Sequence, residues 1–272
     1  MPSAPSPPSS LVGTASRGVL WTAGAQFIAQ GIHVAVRLVL ARLLVPDDFG
    51  LVAMAMVFLS LTPLVADLGV GQALAQRQDL AEGHRSTAFW LTSALGGGLF
   101  FLFAAAAPLF GAFYGEPAVV PIIRVLAVSF LLAAPESVYS ALLIREMRFG
   151  LLGARRIAAT LSGGAAGIAA AVGGLGVWAL VIHSLVTAAA GSALLAWRSP
   201  WRPRWEFSRK AARELWGFGR WVTGSRLLNH LNRNADNLLI GRFLGAAALG
   251  LYSFSYQAVL LPLLVVARPV RS

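Results

Sequence analysis

Residues 226–237 read RLLNHLNRNADN, and the chain around them is overwhelmingly apolar. These twelve residues hold two arginines, a histidine, an aspartate and four asparagines. As a loop the stretch would lie outside a membrane; as a helix it would be a polar stripe within one. The spacing favours a helix. Arg226, His230, Arg233 and Asn237 are four, three and four residues apart and share one face, flanked by Asn229 and Asp236. A shift of 200 residues then lays WVTGSRLLNHLNRNADNLLIGRFL (221–244) on WTAGAQFIAQGIHVAVRLVLARLL (21–44) without gaps. Trp21/Trp221, Gly24/Gly224, Ala35/Ala235, Leu38/Leu238, Arg42/Arg242 and Leu44/Leu244 are identical. Gly50/Gly250, Leu51/Leu251, Leu64/Leu264 and Val65/Val265 carry the match into the next segment. Under the same shift the polar face falls on Gln26, Gln30, His33 and Arg37, with its spacing kept. A loop has no reason to repeat helical spacing.

Composition supplies the solvent. Of 272 residues 57% are hydrophobic and 12% charged, and the mean hydropathy is +0.70. Soluble domains average about 25% charged residues, so lipid is the expected surrounding. Apolar runs of roughly spanning length occupy 18–41, 49–74, 88–110, 118–144, 155–173, 176–196, 217–241 and 249–267. The net charge of +11 would suggest nucleic acid in a soluble chain, but here the basic residues lie between apolar runs, so membrane topology explains them and no nucleic-acid partner is expected. The absence of cysteine excludes disulfides, thiol nucleophiles and Cys-ligated metal. No metal site or cofactor is expected.

Orientation follows from the basic residues. With the N-terminus inside, the cytoplasmic segments hold thirteen: Arg17; Arg77 and Arg85; Arg145, Arg148, Arg155 and Arg156; Arg198, Arg202, Arg204, Arg209, Lys210 and Arg213. The outer loops hold Arg42 and Arg242. That bias puts the N-terminus in the cytoplasm. The chain therefore divides into a disordered Pro/Ser-rich tail (1–17), a six-helix transmembrane bundle (18–196), a basic cytoplasmic linker (197–216) and the start of a second bundle (217–272). Six spans separate the two copies, an even number, so the repeats are parallel, the plan of transporters built from two six-helix bundles around a central cavity. The expected fold is thus an all-α polytopic membrane protein of two parallel six-helix repeats, MATE/MOP-like, with the second truncated after about two helices. The chain is expected to be a fragment of a twelve- or fourteen-span protein.

Local chemistry marks several joints. PDDFG (46–50) offers Asp47 or Asp48 as an N-cap for the second span. GGLG (173–176) is a tight turn, which is also the reading of the GxGxxA match there, since no strand precedes it. SGGAAGIAAAVGG (162–174) is a small-residue surface for close helix packing. PWRPRWEFSRKAARELW (200–216) mixes Trp with Arg, as a segment beside anionic lipid does and as a plain linking loop can.

Charge at membrane depth is costly and usually faces a partner or an aqueous cavity. Facing each other across such a cavity, the two stripes would place Arg226, Arg233 and Arg37 as fixed cations against an anionic headgroup. Arginine suits phosphate because its planar fork donates two parallel hydrogen bonds and it stays charged. His33 and His230 would add charge or neutral hydrogen bonds, and Asn229, Asn237, Gln26 and Gln30 would add polar contacts. Two other readings stay open: a surface helix over 212–237, and a structural pairing of Asp236 with Arg233. Arg37, Arg42 and Arg242 lie near span ends, where snorkelling is ordinary. Arg124 could line the cavity or snorkel. Asp236, Asp67 and Glu136 are the acids available for cation coupling. No GxSxG, HExxH or Walker pattern occurs, so no enzyme is expected.

Three further segments carry a resemblance: ARLLVPDDFGLVAMAMVFLSLTPLVADLGVGQALAQR (41–77), FYGEPAVVPIIRVLAVSFLL (113–132) and ALLIREMRFGLLGARRI (141–157). In combination they resemble the oligosaccharide flippases of polysaccharide and lipopolysaccharide biosynthesis, the Wzx-type members of the MOP superfamily near its WzxC-like branch. The resemblance implies a multi-pass protein of the bacterial inner membrane with two bundles and alternating access. It also implies movement of a polyprenyl-diphosphate-linked oligosaccharide between leaflets. Membrane lipids, a polysaccharide polymerase and export machinery are the partners it allows. Three alternatives stand beside it. A MATE-like exporter of cationic drugs would want acidic cavities, and a membrane glycan polymerase or ligase would want large periplasmic loops. The third is a truncated remnant that does not transport.

Overall fold

A computed structural model describes the backbone of residues 9–60, 74, 82–210, 212–213 and 234–256, with side chains from residue 24 onward. The described residues are helical or form short connections. The helices are α1 (Ser9–Leu43), α2 (Pro46–Leu59), α3 (Glu82–Tyr114), α4 (Val119–Leu126), α5 (Val128–Arg145), α6 (Phe149–Val172) and α7 (Val177–Arg198). A further helical stretch, α8, covers Asn234–Tyr256. By length and composition, five stretches among the described residues can cross a membrane: Gly24–Leu43, Glu82–Tyr114, Val119–Arg145, Val177–Arg198 and Asn234–Tyr256. The outward-facing side chains agree, with Phe101 70%, Leu109 71% and Phe243 76% exposed. Such a surface is stable against lipid tails and not against water.

The last of these stretches is not straight. Tyr252 Oη donates a 2.6 Å hydrogen bond to Asp236 Oδ2, yet sixteen residues of straight helix rise about 24 Å. The chain folds back at Gly245, whose φ of +82° belongs to the left-handed region that glycine enters without a Cβ clash. Residues 234–244 and 246–256 are therefore two arms of a V, and the joint lies between the seventh and eighth runs of the sequence reading. The joint between α1 and α2 lies at Val45. There the cap differs from expectation. Val45 is the N-cap of α2 and Pro46 takes the first helical position, where a missing N–H costs nothing. Asp47 and Asp48 fall inside the first turn, and Asp48 Oδ2 reaches back to accept from Val45 N at 3.3 Å.

Small residues set the packing. On α6, a Cβ at Gly163 would strike Thr187, one at Gly167 would strike His183 Cβ at 2.7 Å, and one at Gly164 would meet Val36 Cγ2 at 2.5 Å. α6 thus lies tight against α7 on one side and α1 on the other. Close backbone approach of this kind replaces the hydrophobic driving force that lipid does not supply. The turn after α6 is the expected GGLG, with Gly174 at φ +77° and Gly176 at φ +53° as the N-cap of α7. Aromatic rings fill the centre: Phe58 stacks on Phe110 at 4.1 Å, and Phe103 meets Phe130 at 5.0 Å. Beyond α7 the linker is pinned to the start of α3. Trp90 Nε1 donates to Arg204 O at 2.8 Å, the rings of Trp90 and Trp205 stack at 4.2 Å, and Arg204 pairs with Glu82 at 2.6 Å.

Candidate functional site: a polar cavity

Four helices enclose a cavity of about 460 Å3. α1 contributes His33 and Arg37, α2 contributes Met56 and its C-cap Ser60, α7 contributes His183, Ser184 and Thr187, and α8 contributes Asn234, Asn237 and Ser253. The residues lining it come from both ends of the described chain.

Helical spacing places each group. His33 and Arg37 are one turn apart on α1, and His183 and Thr187 repeat that spacing on α7. The rings of His33 and His183 approach to 6.0 Å between centroids, tilted by 33°. His183 Nδ1 is buried with no hydrogen-bond partner. The hydroxyls of Ser184 and Thr187 donate to the carbonyls of Leu180 and His183 on their own helix, at 3.0 and 2.6 Å. Their oxygen lone pairs remain able to accept. Asn237 Nδ2 lies 3.5 Å from Asn234 Oδ1. Among the described residues the lining includes no aspartate or glutamate. Such a wall offers one permanent cation, two ionisable imidazoles and several amide and hydroxyl groups. It suits a polar anion.

Of the residues expected at a site, His33, Arg37 and Asn237 line the cavity. Gln26 and Gln30 lie further toward the N-terminus of α1, exposed and half-buried, and are not part of the lining. Asp236 is turned to Tyr252 and also accepts from Asn237 N at 2.9 Å. Arg124 Nε points to Ala104 O at 3.4 Å, away from the cavity. Glu136 sits between α5, α6 and α7, where it forms an ion pair with Arg155 and accepts from Ser192 Oγ at 2.8 Å. Arg226, Asn229, His230, Arg233 and Asp67 lie outside the described residues. His183, Ser184, Thr187 and Asn234 escaped the sequence reading. The signal was present in HSLVT (183–187), a polar face one turn long on an apolar span.

Long helices with apolar outer faces, folded around a polar cavity, define a multi-pass helical membrane protein. The chain belongs to the polysaccharide biosynthesis protein family, whose profile matches residues 39–272. It is similar to the teichuronic acid biosynthesis protein TuaB of Bacillus subtilis, 35% identical over 74% of this chain and 42% of that protein. It is similar also to the lipopolysaccharide biosynthesis protein WzxC of Escherichia coli, 28% identical over 90% of this chain and 50% of that protein. The succinoglycan biosynthesis transport protein ExoT of Rhizobium meliloti is 27% identical over 94% of this chain and 52% of its own length. The chain thus spans about half the length of these relatives. No solved structure matches it significantly.

Proposed function

We propose that this chain takes part in flipping a polyprenyl-diphosphate-linked oligosaccharide across the bacterial inner membrane, for the synthesis of a surface polysaccharide. The observation that carries the reading is the cavity wall: Arg37, His33 and His183 together, with no carboxylate among the described lining residues. A diphosphate needs cations and donors at membrane depth, while its lipid tail stays among the apolar outer faces. Transport names among the relatives, such as that of ExoT, support the same reading. An exporter of organic cations would need carboxylates, and none is among the described lining residues. The proposed mechanism is alternating access, with the N-terminus in the cytoplasm and no catalytic step.

A two-repeat plan is part of this proposal, and a reciprocal contact supports it. A Cβ on Gly50 would run into the carbonyl of Ala246, and a Cβ on Gly250 would run into the carbonyl of Pro46. Under the 200-residue shift Gly50 corresponds to Gly250 and Pro46 to Ala246. The partner of each glycine is therefore the counterpart of the other glycine's partner, as a pseudo-two-fold axis between the copies would give. In the complete arrangement, Arg226, His230, Arg233 and Asn229 would extend the wall that Asn234 and Asn237 begin, and Gln26 and Gln30 would extend the opposite one.

The test is binding by the purified chain in nanodiscs of zwitterionic lipid. Farnesyl diphosphate should bind much more tightly than farnesol, and Arg37→Ala should weaken the diphosphate at least tenfold, since removing one partner of a buried charged contact costs about 2–5 kcal/mol. Equal affinity for the two ligands, or an indifferent Arg37→Ala, would overturn the reading.

A further inference from the structure

A diphosphate diester carries a negative charge on each of its two phosphoryl groups, and among the described lining residues the permanent cation is Arg37. Two imidazoles from different helices face the same space, with ring centroids 6.0 Å apart. His183 Nδ1 is buried with no hydrogen-bond partner among the described residues, so one ring nitrogen is open to a proton. We infer that His33 and His183 take up protons as an anionic diphosphate enters, so that headgroup binding and proton uptake are one event. The inference rests on the diphosphate reading of the cavity and adds the proton stoichiometry.

Among the described residues, the surrounding charges leave these two groups to do it. On α1 the neighbouring charge is Arg37, which is already positive. α2 brings the Ser60 hydroxyl and no ionisable group to the lining. α6 presents Gly163 and Gly167 to this part of α7, and its Arg155 is committed to Glu136. On α8, Asp236 is held by Tyr252. Two imidazolium groups beside a guanidinium repel one another, and no carboxylate in the lining offsets them. An anion lodged between them does. Binding then favours the protonated rings, and by linkage protonated rings favour binding.

The probe must not titrate on its own account. UDP-glucose is a soluble diphosphate diester whose phosphoryl groups stay ionised across the range of interest. Calorimetric titration of the full chain in nanodiscs, repeated at one pH in buffers of different ionisation enthalpy, reads the protons taken up per ligand bound. Between one and two are expected, with affinity rising by up to tenfold per pH unit for each proton as the pH falls from 8.5 toward 6. His33→Asn combined with His183→Asn should abolish uptake and flatten that profile, the single variants leaving about half. Binding without proton uptake in the unaltered chain would overturn this inference and leave the anion site standing, as would uptake that persists in the double variant. If UDP-glucose does not bind at all, or binds equally to Arg37→Ala, the diphosphate reading fails and the inference falls with it.

Discussion

Substituting alanine at Gly50 tests the contact between the copies more sharply than any polar change. A Cβ there would lie 2.8 Å from Ala246 Cα and closer still to its carbonyl, whereas ordinary contact begins near 3.4 Å. The obstacle is backbone, which cannot rotate away as a side chain can. The crossing must open by more than half an ångström, which forfeits roughly a quarter to a half of each dispersion contact along it. Overpacking of this kind costs about 1–3 kcal/mol, against a gain of up to ~1 kcal/mol from replacing glycine in a helix. Net destabilisation of about 1–2 kcal/mol is expected for Gly50→Ala, and a similar value for Gly250→Ala, whose Cβ would meet Pro46 in the same way. Gly97→Ala and Gly98→Ala are the controls, because nothing lies within 4 Å of a Cβ at either position. They should be neutral or slightly stabilising. Thermal unfolding in detergent, followed by tryptophan fluorescence, measures the difference as several degrees of opposite sign, at roughly 2–4 °C per kcal/mol. The double variant Gly50→Ala/Gly250→Ala should lose less than the sum, since the first methyl opens the crossing for the second. If Gly50→Ala raises Tm as the controls do, the helices do not meet there and the pseudo-two-fold argument goes with the contact.

Two other interactions yield expectations of their own. Glu136→Ala should destabilise the first bundle by about 3–5 kcal/mol, because it strands the half-buried Arg155 guanidinium, while Glu136→Gln with Arg155→Met should recover most of the loss; a double-mutant cycle with negligible coupling would refute the pair. Trp90→Ala removes both the hydrogen bond to Arg204 O and the stack on Trp205, together about 1–3 kcal/mol. It should speed tryptic cleavage after Arg204 or Arg209 at least fivefold, whereas Glu82→Ala, which breaks an exposed pair with Arg204, should change the rate little; equal rates for the two variants would contradict the docking of the linker.

The joints of this fold were legible because glycine and proline act locally. Gly174 and Gly176 sit in a turn that their sequence announces, and Pro46 begins α2 where a ring without an N–H is tolerated. The glycines at 163, 164 and 167 were recognisable as a packing surface from composition alone. Which helices they touch was not, since Val36 and Thr187 lie far along the chain in opposite directions. The cap of α2 was misplaced by a few residues for a related reason. Aspartate serves equally as an N-cap or as a third-position residue reaching back, and the choice depends on Pro46 setting the start of the helix.

The site divides along the same line. His33, Arg37 and Asn237 could be found because each belongs to a periodic polar face that the sequence repeats. His183 could not, because its meaning comes from a ring 150 positions earlier, and a single histidine on an apolar span otherwise reads as an ordinary packed residue. The ion pair of Glu136 and Arg155 was hidden likewise: its members stand on different helices, 19 residues apart, beyond any rule for neighbours on one helix. This pairing bears on the electrostatics of the cavity as much as the cations do. Arg155 occupies Glu136, and Tyr252 occupies Asp236. Two acids that sequence alone offered as cation-coupling groups are thereby turned away from the lining, where Arg37 stands without a carboxylate. In the proposed anion site, the positive character of the described wall would thus follow less from the number of basic residues than from where the fold has bound two of the acidic ones.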